Sequence, residues 1–290
     1  MTNDEVKLNP QRVSYQVNNG VKLMGDAWGE SDAAPVLLLH GGGQTRHAWG
    51  GTARALAEQG WYAVALDLRG HGDSGWSPDG NYQIDVYVED LHRVLPHFKQ
   101  RPVLVGASLG GMTALLTAGE APQPVSTAVV LVDITPRVEQ KGVDRIRAFM
   151  TARPEGFANL EEVADTIAEY IPHRPRPKDL SGLQKNLRLR ADGRYRWHWD
   201  PQLISPERFA RRRDPERLLA AARSLRVPTM LVRGGISDVV SEETTKEFLA
   251  AVPHAKYVDV AGAGHMVAGD RNDAFSKAVI GFLTEVKPLL

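Results

Sequence analysis

The residue of this chain best suited to covalent chemistry is Ser108, which stands in the segment Gly106-Ala107-Ser108-Leu109-Gly110. The pattern G-x-S-x-G, between an apolar strand and a helix, is typical of a sharp turn that holds a nucleophilic hydroxyl at the end of the strand. Glycine suits positions 106 and 110 because a Cβ at either place would collide with neighbouring backbone. The N–H groups that begin the following helix would stabilise negative charge developing on a substrate. The segment therefore predicts a serine nucleophile, and a plain strand–turn–helix with a filler serine is the alternative.

His265 has the chemistry of a general base. An unperturbed imidazole has a pKa of about 6.5, so it can take up and return a proton near neutral pH. The chain contains nine histidines, and His265 alone follows the last predicted strand in a glycine-rich turn, Gly262-Ala263-Gly264. A surface or core histidine is the alternative interpretation.

Alternating strands and helices surround these two residues. Apolar runs predict strands at 12–17, 21–28, 35–40, 62–67, 103–105, 127–133, 228–232 and 256–260. The first two are joined by a turn at Asn18-Asn19-Gly20, and helical spacing predicts helices at 52–59, 86–98, 112–118, 242–251 and 273–286. This alternation predicts a mainly parallel sheet that is covered by helices on both faces. Ligands bind such sheets beyond the carboxyl ends of the strands, where Ser108 and His265 both fall.

The alternation stops between residues 136 and 224. Helical patterns at 143–151, 160–170 and 180–189 are broken up there by a proline-rich stretch at 173–177 and an aromatic one at 195–199. About ninety residues are too many for a loop within a compact domain. We therefore predict an α/β core formed by residues 1–135 and 225–290, with a helical cap at 136–224 inserted after the sixth strand.

Five segments carry a resemblance to a known family when they are taken together and in order. They are residues 40–49, 67–75, 106–111, 234–238 and 262–265. The chain resembles a serine-nucleophile member of the α/β-hydrolase fold superfamily, of the esterase branch, and the likeness covers nearly all of it outside the cap. The motifs are also similar to those of epoxide hydrolases and haloalkane dehalogenases, but those enzymes have aspartate where this chain has Ser108. The resemblance implies an eight-stranded, mostly parallel sheet.

The resemblance also implies a catalytic triad in which His265 is the base and a carboxylate orients it. Asp238 lies in the loop after the strand at 228–232 and fits the chain order serine, acid, histidine. Asp133 ends the strand that follows Ser108, where some relatives carry the acid instead. We expect Asp238 to be the acid, because the loop at 234–238 resembles the usual one better, and Asp133 is the alternative.

The glycines Gly41-Gly42-Gly43 follow the strand that ends at His40. Because glycine has no side chain, the N–H of Gly42 can approach a carbonyl oxygen closely, and with the N–H of Leu109 it would form an oxyanion hole. Phosphate binding is the competing interpretation of these glycines, but neither G-x-x-x-x-G-K-[ST] nor the G-x-G-x-x-G spacing is present.

The amino-acid composition limits the kinds of partner and ligand that are expected for this chain. The 290 residues carry 35 basic and 35 acidic side chains, so no net charge attracts the chain to nucleic acid or to an anionic membrane. No cysteine is present, and His92 and His97 are spaced wrongly to share a helix face as metal ligands. No apolar run reaches membrane-spanning length. We expect a cytoplasmic protein with a small-molecule substrate and with no metal or cofactor, and the sequence leaves the oligomeric state open.

These features predict a cofactor-free serine hydrolase, a carboxylesterase that acts on a small to medium ester through an acyl-enzyme. The same triad would also serve a hydrolase of C–C bonds in β-diketones or dienones. A non-catalytic receptor that keeps this fold for ligand binding is the alternative from another class.

The pocket would be completed by residues near the glycine turn and by the cap. Arg46 and His47 are expected at its mouth, and Trp197 and Trp199 as an apolar wall. The cap segment carries an excess of basic residues, which suggests that an anionic or polar group on the substrate is tolerated. The alternative is that Arg174, Arg176 and the arginines at 211–213 form a solvated face.

Overall fold

The computed structural model describes residues 9–172, 174–205, 213–265 and 272–287. Eight strands of these ranges form one sheet, in the order β1-β2-β4-β3-β5-β6-β9-β10. They are β1 (Gln11–Gln16), β2 (Lys22–Trp28), β3 (Pro35–Leu39), β4 (Tyr62–Leu66), β5 (Val103–Ala107), β6 (Ala128–Val132), β9 (Thr229–Gly234) and β10 (Lys256–Val260). Strand β2 pairs antiparallel with β1 and β4, and the other pairs are parallel. The predicted fold class is confirmed.

The central strands are apolar throughout because both faces of the sheet are covered. Alternate residues of a strand point to opposite faces. Leu37 and Leu39 of β3 therefore belong to one hydrophobic cluster, whereas Val36 and Leu38 belong to the other. All four are fully buried. This two-sided burial explains why the strands read as continuous apolar runs.

Six helices of the described ranges flank the sheet. They are α1 (Gly50–Glu58), α2 (Ile84–Val94), α3 (Leu109–Gly119), α6 (Pro215–Arg223), α7 (Glu242–Ala251) and α8 (Asn272–Val286). Residues of α2, α3, α6 and α7 pack in the first cluster, for example Leu91, Leu115 and Phe248. Leu56 of α1 and Phe275 of α8 pack in the second.

The segment between β6 and β9 contains α4 (Gln140–Thr151), α5 (Leu160–Tyr170) and an antiparallel hairpin of β7 (Leu187–Leu189) and β8 (Tyr195–Trp197). The helix predicted at 180–189 is instead a short 3-10 helix followed by β7. Pairing with β8 lets Leu187 pack with Phe157 and Val163 in a small core of the segment's own. This part of the chain is therefore not purely helical.

Helix α6 is the last element of the inserted segment, but it packs against the helices and strands of the α/β core. Leu218, Ala221 and Ala222 belong to the first sheet cluster, and a Cβ on Gly119 of α3 would lie 2.3 Å from the Ala221 carbonyl oxygen. The division into core and cap at residues 136 and 224 stays a prediction, and this packing favours counting α6 with the core.

Candidate active site

Ser108 occupies a strained turn between β5 and α3. Its backbone has φ 46° and ψ −111°, a region that non-glycine residues rarely adopt and that costs about 1–3 kcal/mol. A Cβ on Gly106 would lie 2.3 Å from the Gly110 carbonyl oxygen, and one on Gly110 would lie 2.4 Å from the Leu39 carbonyl oxygen. Both glycines are required by close backbone approach, as the sequence indicated.

The imidazole of His265 forms a hydrogen bond with the carboxylate of Asp133. Its Nδ1 lies 2.7 Å from Asp133 Oδ2, and the carboxylate is fully buried whereas the imidazole is 10 % exposed. Asp133 also accepts hydrogen bonds from the Gly234 N–H at 2.9 Å and from the Ser237 hydroxyl at 2.5 Å. With Nδ1 engaged, Nε2 is the ring nitrogen that remains for proton exchange. His265 and Ser108 line the same cavity.

The preference for Asp238 as the partner of His265 was wrong. Asp238 Oδ2 accepts a hydrogen bond from Arg145 Nη1 of α4 at 2.8 Å, and its side chain is about a third exposed. The loop after β9 instead presents Ser237 to Asp133, and the Ser237 Oγ also accepts from the N–H groups of Val239 and Val240. This turn anchors Ser237 on the inside and directs the next residue outward. Ser237 was missed because its only signal was its position beside Asp238.

The N–H groups of Gly42 and Leu109 are the ones left to bind an anion. Gly41 donates to Gln44 Oε1 at 2.9 Å and Gly43 donates to His71 Nε2 at 3.1 Å. Within the ranges that the structure describes, Gly42 and Leu109 have no such acceptor, and both line the cavity beside Ser108. This geometry is compatible with the predicted oxyanion hole.

Three buried histidines, His40, His71 and His198, contact the glycine turn at 41–43, and the sequence analysis had assigned a role to none of them. His40 accepts from the Leu68 N–H at 2.9 Å. His198, from the end of the hairpin, accepts from the Gly72 N–H at 2.7 Å through Nδ1, while its Nε2 lies 3.3 Å from the Gly43 carbonyl oxygen. Burial lowers the pKa of His198 to about 3, so the ring is neutral near pH 7 and Nε2–H donates to that carbonyl.

Arg46 does not lie at the pocket mouth. Its side chain is only 2 % exposed and pairs with Asp26 and Asp73 at 2.9 Å each, and with Asp67. A guanidinium can be buried at this position because three carboxylates surround it. Its neighbour His47 is exposed and lines the cavity.

The cavity has a volume of about 690 Å³ and lies between the strand ends and the inserted segment. Trp197 and Trp199 both line it, with nearly parallel rings whose centroids are 5.0 Å apart. Met112, Ile134 and Phe149 add further apolar wall. The predicted contact of the two indoles with a substrate stays a prediction.

Several of the predicted basic residues border this cavity. Arg174 and Arg176 are exposed at its edge, and Arg176 is paired with Asp165 at 2.9 Å. Arg213 lines it as well, and is only partly exposed. Residues 211 and 212 lie outside the described residues, as does residue 173 of the proline-rich stretch. Among the arginines that the structure describes, Arg213 therefore does not share the exposed face of Arg174 and Arg176.

Known proteins share this architecture. The family described as "alpha/beta hydrolase fold" matches residues 34–271. An esterase of Mycobacterium tuberculosis is 34% identical over 268 residues, covering 88% of this chain and 84% of its own. The sn-1-specific diacylglycerol lipase ABHD11 of Mus musculus is 30% identical over 300 residues, covering 97% and 88%. The solved structure of the M. tuberculosis esterase superposes with a TM-score of 0.77 at 30% identity over 95% of this chain and 92% of its own.

A second solved structure extends the comparison of the fold. E-2-(acetamidomethylene)succinate hydrolase superposes with a TM-score of 0.83 at 22% identity, over 95% of this chain and all of the other. The chain belongs to the alpha/beta hydrolase fold family. The resemblance inferred from the motifs is thereby confirmed, and the relatives support a hydrolase.

The described part of the chain has neither a membrane-spanning helix nor a metal-binding cluster. No helix there is both long enough and apolar enough to cross a membrane. No cluster of three or more His, Asp or Glu side chains in that part is arranged to hold a metal ion.

Proposed function

We propose that this protein is a serine hydrolase, and specifically a carboxylesterase that forms an acyl-enzyme on Ser108. The observation that carries the proposal is the 2.7 Å contact between His265 Nδ1 and the buried carboxylate of Asp133, at a cavity also lined by the strained Ser108. A carboxylate at Nδ1 fixes the tautomer of the ring so that Nε2 can accept a proton.

The steps follow from these positions. Ser108 Oγ attacks the ester carbonyl while His265 Nε2 takes its proton, and the N–H groups of Gly42 and Leu109 bind the oxygen that becomes negative. Asp133 stabilises the imidazolium without accepting its proton. The imidazolium then protonates the leaving alcohol, and an acyl-enzyme remains. A water activated by His265 attacks this acyl group and releases the acid together with free Ser108. Only protein groups and water take part.

The relatives support the ester assignment. The M. tuberculosis protein is named an esterase and the mouse protein a diacylglycerol lipase, and each matches most of this chain. Both names describe hydrolysis of esters. These names do not define the acyl and alcohol groups that this chain accepts, which are therefore inferred from its own cavity.

Replacing the nucleophile tests the proposal. Ser108→Ala should lower kcat on p-nitrophenyl acetate and butyrate by about 10³-fold or more, because only binding and the oxyanion hole remain. A fluorophosphonate probe should label wild-type protein at Ser108, as read by peptide mass. Ser31→Ala, a change at an exposed turn, is the matched control and should keep full activity. Turnover by Ser108→Ala, or labelling at another residue, would contradict the proposal, and saturable binding of esters without turnover by the wild type would favour a receptor.

A further inference from the structure

Arg213 is a cation inside the cavity that the hydrolytic steps do not use. It immediately precedes Asp214, the N-cap of α6, and its side chain lines the same cavity as Ser108 and His265. Its Nη2 donates to the Thr135 carbonyl oxygen at 3.4 Å. Thr135 follows Asp133 by two residues, so the guanidinium lies at the side of the cavity formed by the end of β6.

Arg213 also lacks the partners that other arginines of this chain have. Its Nε is cut off from solvent and meets no acceptor, and among the described residues no carboxylate forms an ion pair with it. By contrast, Arg69 is paired with Asp90 and Arg217 with Asp85 and Glu120. Within the described chain, the positive charge of Arg213 is thus left without a counterion, beside apolar walls.

The charge persists at neutral pH. Burial lowers the pKa of Arg213 to about 10, which is still far above 7, so the guanidinium is protonated. A partly desolvated cation without a counterion destabilises its surroundings, and an anion that enters the cavity relieves this cost. The planar guanidinium matches the two oxygens of a carboxylate in geometry and charge.

We propose that Arg213 binds a carboxylate carried by the substrate, so that the preferred substrates are monoesters of dicarboxylic acids. The ester would lie at Ser108, the carboxylate at Arg213, and an apolar spacer against Met112 and Ile134, which line the cavity. This inference rests on the proposed esterase function and narrows its substrate class. The exposed Arg174 and Lys185 at the cavity edge would attract the anion but would not hold it.

Matched pairs of esters test the subsite. Monomethyl esters of glutaric, adipic and suberic acid are compared with methyl esters of monocarboxylic acids of equal length, with turnover followed by methanol release. The wild type should prefer the charged ester of at least one pair. Arg213→Met should lower kcat/KM for that ester by about 10- to 100-fold, chiefly through KM, because a charged hydrogen bond is lost. The neutral ester should change less than about threefold, and Arg213→Lys should retain part of the preference.

Arg176→Met is the matched control, since this arginine stands at the cavity edge and is already paired with Asp165. It should change kcat/KM for the charged ester by less than about threefold at 0.15 M salt, where exposed charges are largely screened. Equal losses on charged and neutral esters in Arg213→Met would overturn the proposal, because they would show that Arg213 only supports the inserted segment. A wild type without preference for any charged ester would overturn it as well.

A binding measurement separates this inference from the esterase proposal. The monoamides of the same three dicarboxylic acids are titrated calorimetrically into Ser108→Ala protein and into the double variant that also carries Arg213→Met. At least one should bind, and the added substitution should weaken it about tenfold or more. Binding that depends on Arg213 in a protein whose wild type hydrolyses no ester would support the carboxylate site and refute the esterase. Ester turnover without such binding would refute the carboxylate site and leave the esterase standing.

Discussion

Ser108 and Asp133 share an uncommon backbone geometry, with φ of 46° and 47°. Non-glycine residues reach this region only where surrounding contacts hold them, and such strain concentrates at functional sites. Here the Ser108 N–H donates to the Val132 carbonyl, and Asp133 accepts from Gly234, Ser237 and His265. The contacts that offset the strain are the same ones that orient the candidate triad.

The first prediction compares the two aspartates. Asp133→Asn should lower kcat by about 10⁴-fold with little change in KM, because an amide favours the wrong tautomer of His265 and does not stabilise the imidazolium. Asp238→Asn should stay within a few-fold of wild type, since Asp238 is paired with Arg145 at the surface. Steady-state kinetics on one p-nitrophenyl ester decides between them. A larger loss of kcat for Asp238→Asn would show that Asp238, in the loop after β9, is the acid of the triad.

At the scale of elements, Arg46 connects parts of the core that are distant in sequence. It lies in a short 3-10 helix and pairs with Asp26 of β2, with Asp67 just after β4, and with Asp73 of the next loop. The Arg46 N–H also donates to Asp67 Oδ1 at 2.7 Å. Only Gln44 and Thr45 separate the glycine turn at 41–43 from this helix, so the buried ion pairs help to fix the position of that turn.

The second prediction concerns the stability that the ion pairs of Arg46 contribute. Arg46→Met should lower the free energy of unfolding by about 3–5 kcal/mol, because buried carboxylates would lose their counterion. Arg54→Met, which removes an exposed pair with Glu58, should change it by about 0.5 kcal/mol or less. Urea unfolding followed by circular dichroism compares the two variants. Equal small effects would show that the buried network adds no stability.

At the scale of the whole molecule, the inserted hairpin is docked on the loop that follows β4. Arg188 donates to the Gly72 carbonyl at 2.6 Å and to Asp73 at 2.8 Å. Asp200 accepts from the Tyr82 hydroxyl at 2.6 Å, and His198 contacts Gly72 and Gly43. The inserted segment is thus tied to the turn that carries Gly42, and its docking is coupled to the site.

The third prediction concerns the pH dependence of that docking. The pKa of His198 is about 3 in the folded protein and about 6.5 in an unfolded chain. Between these values the unfolded state binds the proton and the folded state does not, so stability falls as the pH falls. The stability contributed by the neutral His198 is fully present above about pH 6.5. Below that pH the free energy of unfolding falls by about 1.4 kcal/mol per pH unit. Burial also lowers the pKa of His40, which acts in the same direction.

Urea unfolding between pH 7 and 5 measures this slope. His198→Gln should reduce the slope relative to wild type by up to about 1.4 kcal/mol per pH unit, whatever its stability at pH 7. Glutamine can accept from Gly72 and donate to Gly43 without titrating. An unchanged slope in this variant would show that His198 is not the proton-linked group.

What the sequence alone determined was local in character. The strand–turn–helix at Ser108 and the need for glycine at 106 follow from close backbone approach within a few residues, and the parallel sheet follows from apolar runs that must be covered on both faces. The oxyanion-hole prediction for Gly42 and Leu109 was made in the same way, from their places in the two turns, and it stays a prediction. Each of these features depends on neighbouring residues, so spacing was enough to predict it.

Only the tertiary structure decided which side chains meet. Asp133 and His265 are 132 residues apart, and whether Asp133 or Asp238 faces the imidazole depends on how one loop turns Ser237 inward and its neighbour outward. The burial of Arg46 among three carboxylates, the contact of His198 with the glycine turn, and the position of Arg213 in the cavity likewise depend on distant segments. Spacing along the chain carries no record of the direction in which a loop side chain points, and these assignments therefore required the packed structure.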